Sequence, residues 1–292
     1  MSRPQLHVTV VRHGETNSNL KRILQGHINT TLNKAGREQS ELASHRLRKM
    51  KFDHIYTSDL SRAKKTAEII AKNHPDVPLT EDIRLRERDI GRLSGLSIYK
   101  ALDLIKEEES TWGDYGESDE DFKAQVVDFF NDMIANHLPR NDSVIQSPNG
   151  KDSLKNKPGM MKRNPHVLIV THGGTINKLV KEHLIMDLGF FVNNYLSMKH
   201  KAKNSSITKF VVRRINKPSS VTADDDDATS VISSNTAENE SDSGSEKAIS
   251  TQRNIERKIR IEGDVTLWSC VSHLSLQGKR THGDSQIDDY VH

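Results

Sequence analysis

Val8-Thr-Val-Val-Arg-His-Gly-Glu-Thr16 and Val167-Leu-Ile-Val-Thr-His-Gly-Gly-Thr175 match at five of nine positions, including the His-Gly pair. In each copy a short, β-branched run ends in a histidine, and a glycine then permits a tight turn. Helical spacing resumes over Thr175–Leu188. The reading is therefore strand, turn, helix, written twice. Outward from these two stretches, His54–Thr57, Ser205–Val212 and Asp264–Val271 read as further strands. Apolar residues at helical spacing predict helices over Lys34–Met50, Ser61–Lys72, Ile98–Glu109 and Ser118–His137. In the last of these, Phe122, Val126, Phe129, Phe130 and Met133 share a face, and Ser118 with Asp121 resembles a capping box. Strands alternate with helices, so the fold class is α/β with a largely parallel sheet.

Charge is distributed unevenly along the 292 residues. Residues 216–250 hold eight acidic side chains and two basic ones. The chain's net +3 thus becomes −6 there and +9 elsewhere. Ser, Thr, Asn and Ala fill most of that stretch, too little apolar surface to offset the entropy of ordering it. It is expected to be a disordered acidic insertion, bounded at 215–262, that loops out of one domain. Residues 140–164 carry six basic and two acidic side chains and are expected to form a flexible basic loop. These stretches account for an apolar fraction of 34% and a mean hydropathy of −0.69. No apolar run approaches the ~20 residues of a membrane span, and the N-terminus has no secretory signal pattern. The lone Cys270 cannot form an intrachain disulfide, which fits a reducing compartment. Residues 1–292 therefore read as a single domain with a core over 5–214 and 263–275 and a tail over 276–292.

If the two matching strands are neighbours, His13 and His172 face one crevice at the carboxyl end of the sheet, where open α/β sheets bind ligands. Helix N-termini behind them supply N–H groups, which suits a phosphate. Arg12 precedes His13, and Arg62 lies where a strand passes into a helix. Both guanidinium groups could hold phosphate oxygens in a fork. Leu85-Arg-Glu-Arg-Asp-Ile-Gly-Arg-Leu-Ser-Gly95 sets Glu87 in an arginine-rich turn, as a general acid/base or as one half of an ion pair. Paired histidines could also hold a metal. No His-Glu-x-x-His motif and no cysteine cluster accompanies them, so neither metal nor other cofactor is expected.

Arg12-His13-Gly14-Glu15-Thr16 resembles the Arg-His-Gly signature of the histidine phosphatase superfamily, in its phosphoglycerate mutase-like branch. Asn19, Gln25-Gly26, Leu32, Gly36, Ser58-Asp-Leu-Ser-Arg-Ala63 with Thr66-Ala67, the Glu87 stretch, Gly116-Glu-Ser118, Thr171-His-Gly-Gly174, Asn204-Ser-Ser-Ile207 and Ser272-His-Leu274 follow in family order. The resemblance implies a three-layer α/β/α sandwich around a mostly parallel sheet. It implies a phosphomonoesterase acting through a phosphohistidine on His13. Arg12, Arg62 and His172 would stabilise the phosphoryl charge, and Glu87 would serve as general acid/base. Asn19, Gln25, Gly26 and Gly173 would complete the substrate-binding wall.

Glu87-Arg-Asp-Ile-Gly91 departs from the Glu-Arg-His-Tyr-Gly of the mutases. Gln25-Gly26-His27 is more similar to fructose-2,6-bisphosphatase-type and fungal broad-range acid phosphatases. The chain has no Gly-x-x-x-x-Gly-Lys-Ser/Thr loop, which excludes an attached kinase. A small phosphorylated substrate, a sugar phosphate or a broad range of esters, is expected. Lys151, Lys155, Lys157, Lys162 and Arg163 could attract a second phosphate or an acidic partner. A mutase-type phosphotransferase and a phosphate-binding scaffold that recruits partners through the acidic insertion are the alternatives. Scattered basic residues and 5% aromatics argue against nucleic acid. The serines of Ser241–Glu246 could be kinase sites. Residence in the cytoplasm is expected, with the nucleus left open.

Overall fold

The computed structural model describes residues 3–139, 163–192, 198–215 and 260–277. Residues 216–259 of the acidic insertion, all of the basic loop but Arg163 and Asn164, and the tail beyond Gln277 lie outside the described residues. The described residues up to Arg214 and from Ile261 on form one compact unit.

Seven strands make one sheet: β1 (Gln5–Arg12), β2 (His54–Thr57), β3 (Leu79–Glu81), β4 (His166–Thr171), β5 (Phe191–Val192), β6 (Ile207–Arg214) and β7 (Ile261–Cys270). Their order is β3-β2-β4-β1-β6-β7-β5. Only β6 runs against the others, antiparallel to both β1 and β7. β1 and β4 are parallel neighbours, paired Val8 to Val167 through Arg12 to Thr171. This register is the sequence match itself, residue for residue.

Successive side chains leave a strand on opposite faces, and both faces of this sheet are covered. Val11, Ile55, Leu168, Val170 and Ile207 share one buried cluster with Leu47 of α2 (Lys34–Leu47) and Ala63, Ala67 and Ile70 of α3 (Ser61–Ala71). On the other face Tyr56 and Phe210 meet Phe129 and Phe130 of α5 (Asp119–His137), with ring centroids 5.3 and 6.4 Å apart. All five residues of the expected apolar face of α5 are buried. Ser118 caps this helix, accepting from the Asp121 N–H at 3.0 Å. Three layers result. A smaller core, Leu24, Ile90, Leu93, Ile98, Ala101 and Tyr115, joins α4 (Ile98–Glu107) to the loops beside the sheet's carboxyl end.

The expected strands and helices are present, with shifted ends. β7 begins at Ile261, so residues 261 and 262, expected in the insertion, belong to a strand. The helix expected from Thr175 begins at Gly173 as α6 (Gly173–Ile176) and continues in π geometry over Asn177–Asp187. β3 and β5, three and two residues long, have no counterpart among the expected strands. Arg163, expected to attract anions, instead forks onto Asp53 at 2.6 and 3.0 Å. No helix among the described residues is long and apolar enough to cross a membrane.

At the start of β4, His166 packs its ring on Phe52 and bonds the Thr9 hydroxyl through Nε2 at 2.8 Å. Burial pushes this imidazole down to about 4, helped by His7 and Lys209. The unfolded chain therefore takes up this proton first as pH falls, so the contribution to stability is complete above 6.5 and lost on the way to 4. Thermal midpoints measured between pH 7 and 4 should fall with pH. His166→Gln should flatten that slope relative to the parent protein; an equal slope would contradict the assignment.

Candidate active site

β1 and β4 end side by side. The His13 N–H donates to the Thr171 carbonyl at 2.9 Å, so the two histidines leave the sheet together, ring centroids 5.2 Å apart. The His-Gly turn then has to pass under α2. A Cβ at Gly14 would stand 2.3 Å from the Gly36 carbonyl oxygen, and one at Gly36 2.0 Å from that of Glu15. Only two glycines allow this approach. The Gly14 N–H donates to Thr66 Oγ1 at 3.0 Å, tying the turn to α3. The His13 carbonyl accepts from the Ser205 N–H and from Asn204 Nδ2, at 3.1 and 3.0 Å.

His13 is 2% exposed. Its Nδ1–H donates to the Gly14 carbonyl at 2.7 Å. That bond leaves Nε2 with the lone pair, the form a nucleophile requires. Burial holds the imidazole well below its ordinary 6.5, and Arg62 and then Arg12 push it further down. His172 is fully buried and lowered in the same way, first by desolvation and then by Arg62. Its Nε2 meets the Ser58 hydroxyl at 2.9 Å, and its Nδ1 has no hydrogen-bond partner.

The arginines are fixed through backbone carbonyls. Arg12 Nη1 donates to Ala202 O at 2.7 Å. Arg62, in the first turn of α3, donates to Ile28 O and Gly26 O, both at 2.9 Å. It thereby holds the loop whose Gly26 has φ +45. Two guanidinium groups are thus buried beside two imidazoles and disfavour the protonation of both.

Asn19 Oδ1 accepts from the Thr16 N–H at 3.1 Å, and Gln25 Oε1 from the Thr16 hydroxyl at 3.0 Å. Both side chains brace the turn after the His-Gly pair. Gly173, buried, opens α6 directly after His172. Glu87 reaches the same end of the sheet. Its Oε1 accepts from the Arg88 N–H and its Oε2 from the Gly174 N–H, both at 3.0 Å. Each residue picked from the sequence as catalytic or substrate-binding thus lies at the carboxyl end of the sheet or on the loops that wall it. Sequence reading assigned no role to Ser58, His27, Asn204 or the Gly174 N–H. The first three stood in motifs that were recognised, but their hydrogen-bond partners are far along the chain. His27 Nε2–H, for example, donates to Glu87 O at 2.7 Å. Among the described residues, no three His, Cys, Asp or Glu side chains converge to hold a metal ion.

The family model of the histidine phosphatase superfamily (branch 1) matches residues 8–147. The zebrafish (Danio rerio) fructose-2,6-bisphosphatase TIGAR B is 30% identical over 226 residues, covering 70% of this chain and 85% of that one. A broad-specificity phosphatase of Saccharomyces cerevisiae is 28% identical over 216 residues, covering 70% and 83%. The solved structure of a mycobacterial glucosyl-3-phosphoglycerate phosphatase with VO3 superposes with a TM-score of 0.51 at 25% identity, over 72% of this chain and 91% of that one. The chain belongs to the histidine phosphatase superfamily. It is a phosphomonoester hydrolase of the phosphoglycerate mutase-like kind, a family that works through phosphohistidine.

Ser58 should matter through His172. Ser58→Ala leaves both buried ring nitrogens of His172 without a partner, at a cost of about 1–3 kcal/mol. Urea denaturation should show that loss, and turnover should fall with it. An unchanged midpoint and rate would contradict the role.

Proposed function

We propose that His13 is the nucleophile of a phosphatase acting on small phosphorylated metabolites of the sugar-phosphate type. The observation that carries this reading is the bond from His13 Nδ1–H to Gly14, which leaves Nε2 free beside two buried guanidinium groups. Nε2 attacks phosphorus in line with the ester oxygen, forming a P–N bond as the P–O bond breaks. Arg12, Arg62 and His172, through its unpartnered Nδ1, take the charge spread over the phosphoryl oxygens. Glu87 gives its proton to the leaving alkoxide. It then removes a proton from the water that attacks the phosphohistidine, releasing phosphate and restoring His13.

Neutral His13 is needed for attack, and burial between arginines keeps it neutral well below pH 6.5. Protonated Glu87 is needed for departure, and a phosphate dianion nearby favours that form. Activity should therefore persist on the acidic side of neutrality and decline on the alkaline side. Rates from pH 5 to 9 test this, and a flat profile would count against Glu87. The relatives' names support a sugar-phosphate type of substrate. A panel of sugar phosphates, phosphoglycerates, nucleotides and phosphopeptides separates a dedicated enzyme from a broad one, by whether one kcat/KM leads by decades.

Removing the nucleophile and removing a charge stabiliser should differ in kind. His13→Ala should yield no phosphoenzyme on rapid acid quench. Arg62→Ala should remain measurable but slower by about a hundredfold or more, the usual effect of losing one such donor. A phosphoenzyme in His13→Ala would overturn the assignment. Glu87→Gln should lose far more activity on an alkyl phosphate than on p-nitrophenyl phosphate, whose leaving group departs without protonation. Equal losses on both would remove Glu87 as the acid. Chelators should leave the rate unchanged.

A further inference from the structure

The loop that carries Glu87 is crowded with charge from every side. Its own segment supplies Arg86, Arg88 and Asp89, and Arg86 pairs with Asp59 at the head of α3. His13 and Arg12 come from β1, Arg62 from α3, His172 from the end of β4, and His27 from the loop before α2. Glu117 comes from the turn before α5, where it accepts from the Asp89 N–H. The remaining group is a cluster of its own: Asp119 at the start of α5, with Lys178 and Glu182 on the helix that continues α6.

Two cations of this set are buried outside the phosphate site. The Lys178 side chain is 3% exposed, and its Nζ lies 2.6 Å from Asp119 Oδ2 and 2.8 Å from Glu182 Oε2. The Arg88 side chain is 4% exposed; its Nη1 lies 3.6 Å from Asp119 Oδ1 and its Nε donates to Glu117 O at 3.0 Å. One carboxylate, Asp119, thus bridges cations from two elements. Those same elements grip Glu87, through the backbone N–H groups of Arg88 and Gly174. Lys178 follows Gly174 by about one helical turn.

We propose that Asp119 is a positioning residue for the reaction. By neutralising Arg88 and Lys178, it fastens the acid loop to the helix and keeps the local field from holding Glu87 ionised. Without the Asp119 charge the cluster is one unit more positive, and nearby positive charge favours a carboxylate over a carboxylic acid. A carboxylate has no proton to give the leaving oxygen. The inference rests on Glu87 as the general acid.

The pH profile of kcat on an alkyl phosphate reads this out, with KM followed in parallel. Asp119→Asn should move the alkaline limb of kcat to lower pH by about half a unit, roughly a threefold loss at a fixed pH beyond the limb. Its effect on KM should be small. Asp119→Glu should keep the limb in place. Lys178→Met, which removes a cation instead, should move the limb the other way. The double variant Asp119→Asn/Lys178→Met should return it toward the parent position. If Asp119→Asn does not fold, as judged by its thermal midpoint, Lys178→Met and the double variant still decide. A limb that disappears in Glu87→Gln but stays fixed in the charge variants overturns the inference alone. Shifts in the same direction for opposite charge changes do the same. A parent enzyme with no alkaline limb overturns both the inference and the acid role of Glu87.

Discussion

The site depends on one pairing: β1 beside β4, parallel, in the register that sets Arg12 against Thr171. A slip of one residue would turn the side chains of a strand to the opposite face. The two histidines would then no longer leave the sheet on the same side. The register is secured from both directions. Val8, Val10, Val11, Val167, Leu168, Ile169 and Val170 are all buried, so a slip would exchange the packing against both helical layers. At the end of the pair, the His13 N–H to Thr171 bond continues the ladder one step beyond β1. The hydrophobic sandwich thus sets the spacing of the polar site.

The second constraint is electrostatic. Two guanidinium groups stand beside buried imidazoles and are oriented by backbone carbonyls, Arg12 by Ala202 O and Arg62 by Ile28 O and Gly26 O. The same arrangement keeps His13 unprotonated and presents a cationic cavity to a dianion. Carbonyls orient a guanidinium without neutralising it.

Much of this was legible in the chain. Two His-Gly stretches that repeat one pattern announced the paired strands, because each carried a buried strand and its turn within nine residues. The apolar face of α5 and its Ser118 cap were local signals as well. What escaped was short or distant. β3 and β5 are too brief for periodicity to register, and they exist because the sheet offers them an edge. The π geometry after Ile176 has no sequence pattern to betray it. Asp119 reads as an ordinary first-turn acid on α5, and Lys178 as a solvated helix lysine. Their contact spans 59 positions, and Lys178 is buried only once α5 packs on the helix that continues α6.

The geometry also separates what is fixed from what is free to vary. Arg12, His13, Arg62 and His172 are all buried, the arginines held by loop carbonyls, His13 by Gly14 O and His172 by the Ser58 hydroxyl; in the proposed mechanism they read only the phosphoryl group, which every phosphate ester shares. Discrimination between esters must come from whatever touches the leaving group. Ile28, 44% exposed, belongs to the segment whose carbonyl Arg62 holds. Tyr99, at 58%, is joined to that loop region through its bond from Arg22. Ile28 stands on a loop and Tyr99 in the first turn of α4, whose Ile98 and Ala101 belong to the small core around Leu93. A rigid phosphate cradle beside a separately packed rim lets substrate preference change without disturbing the chemistry.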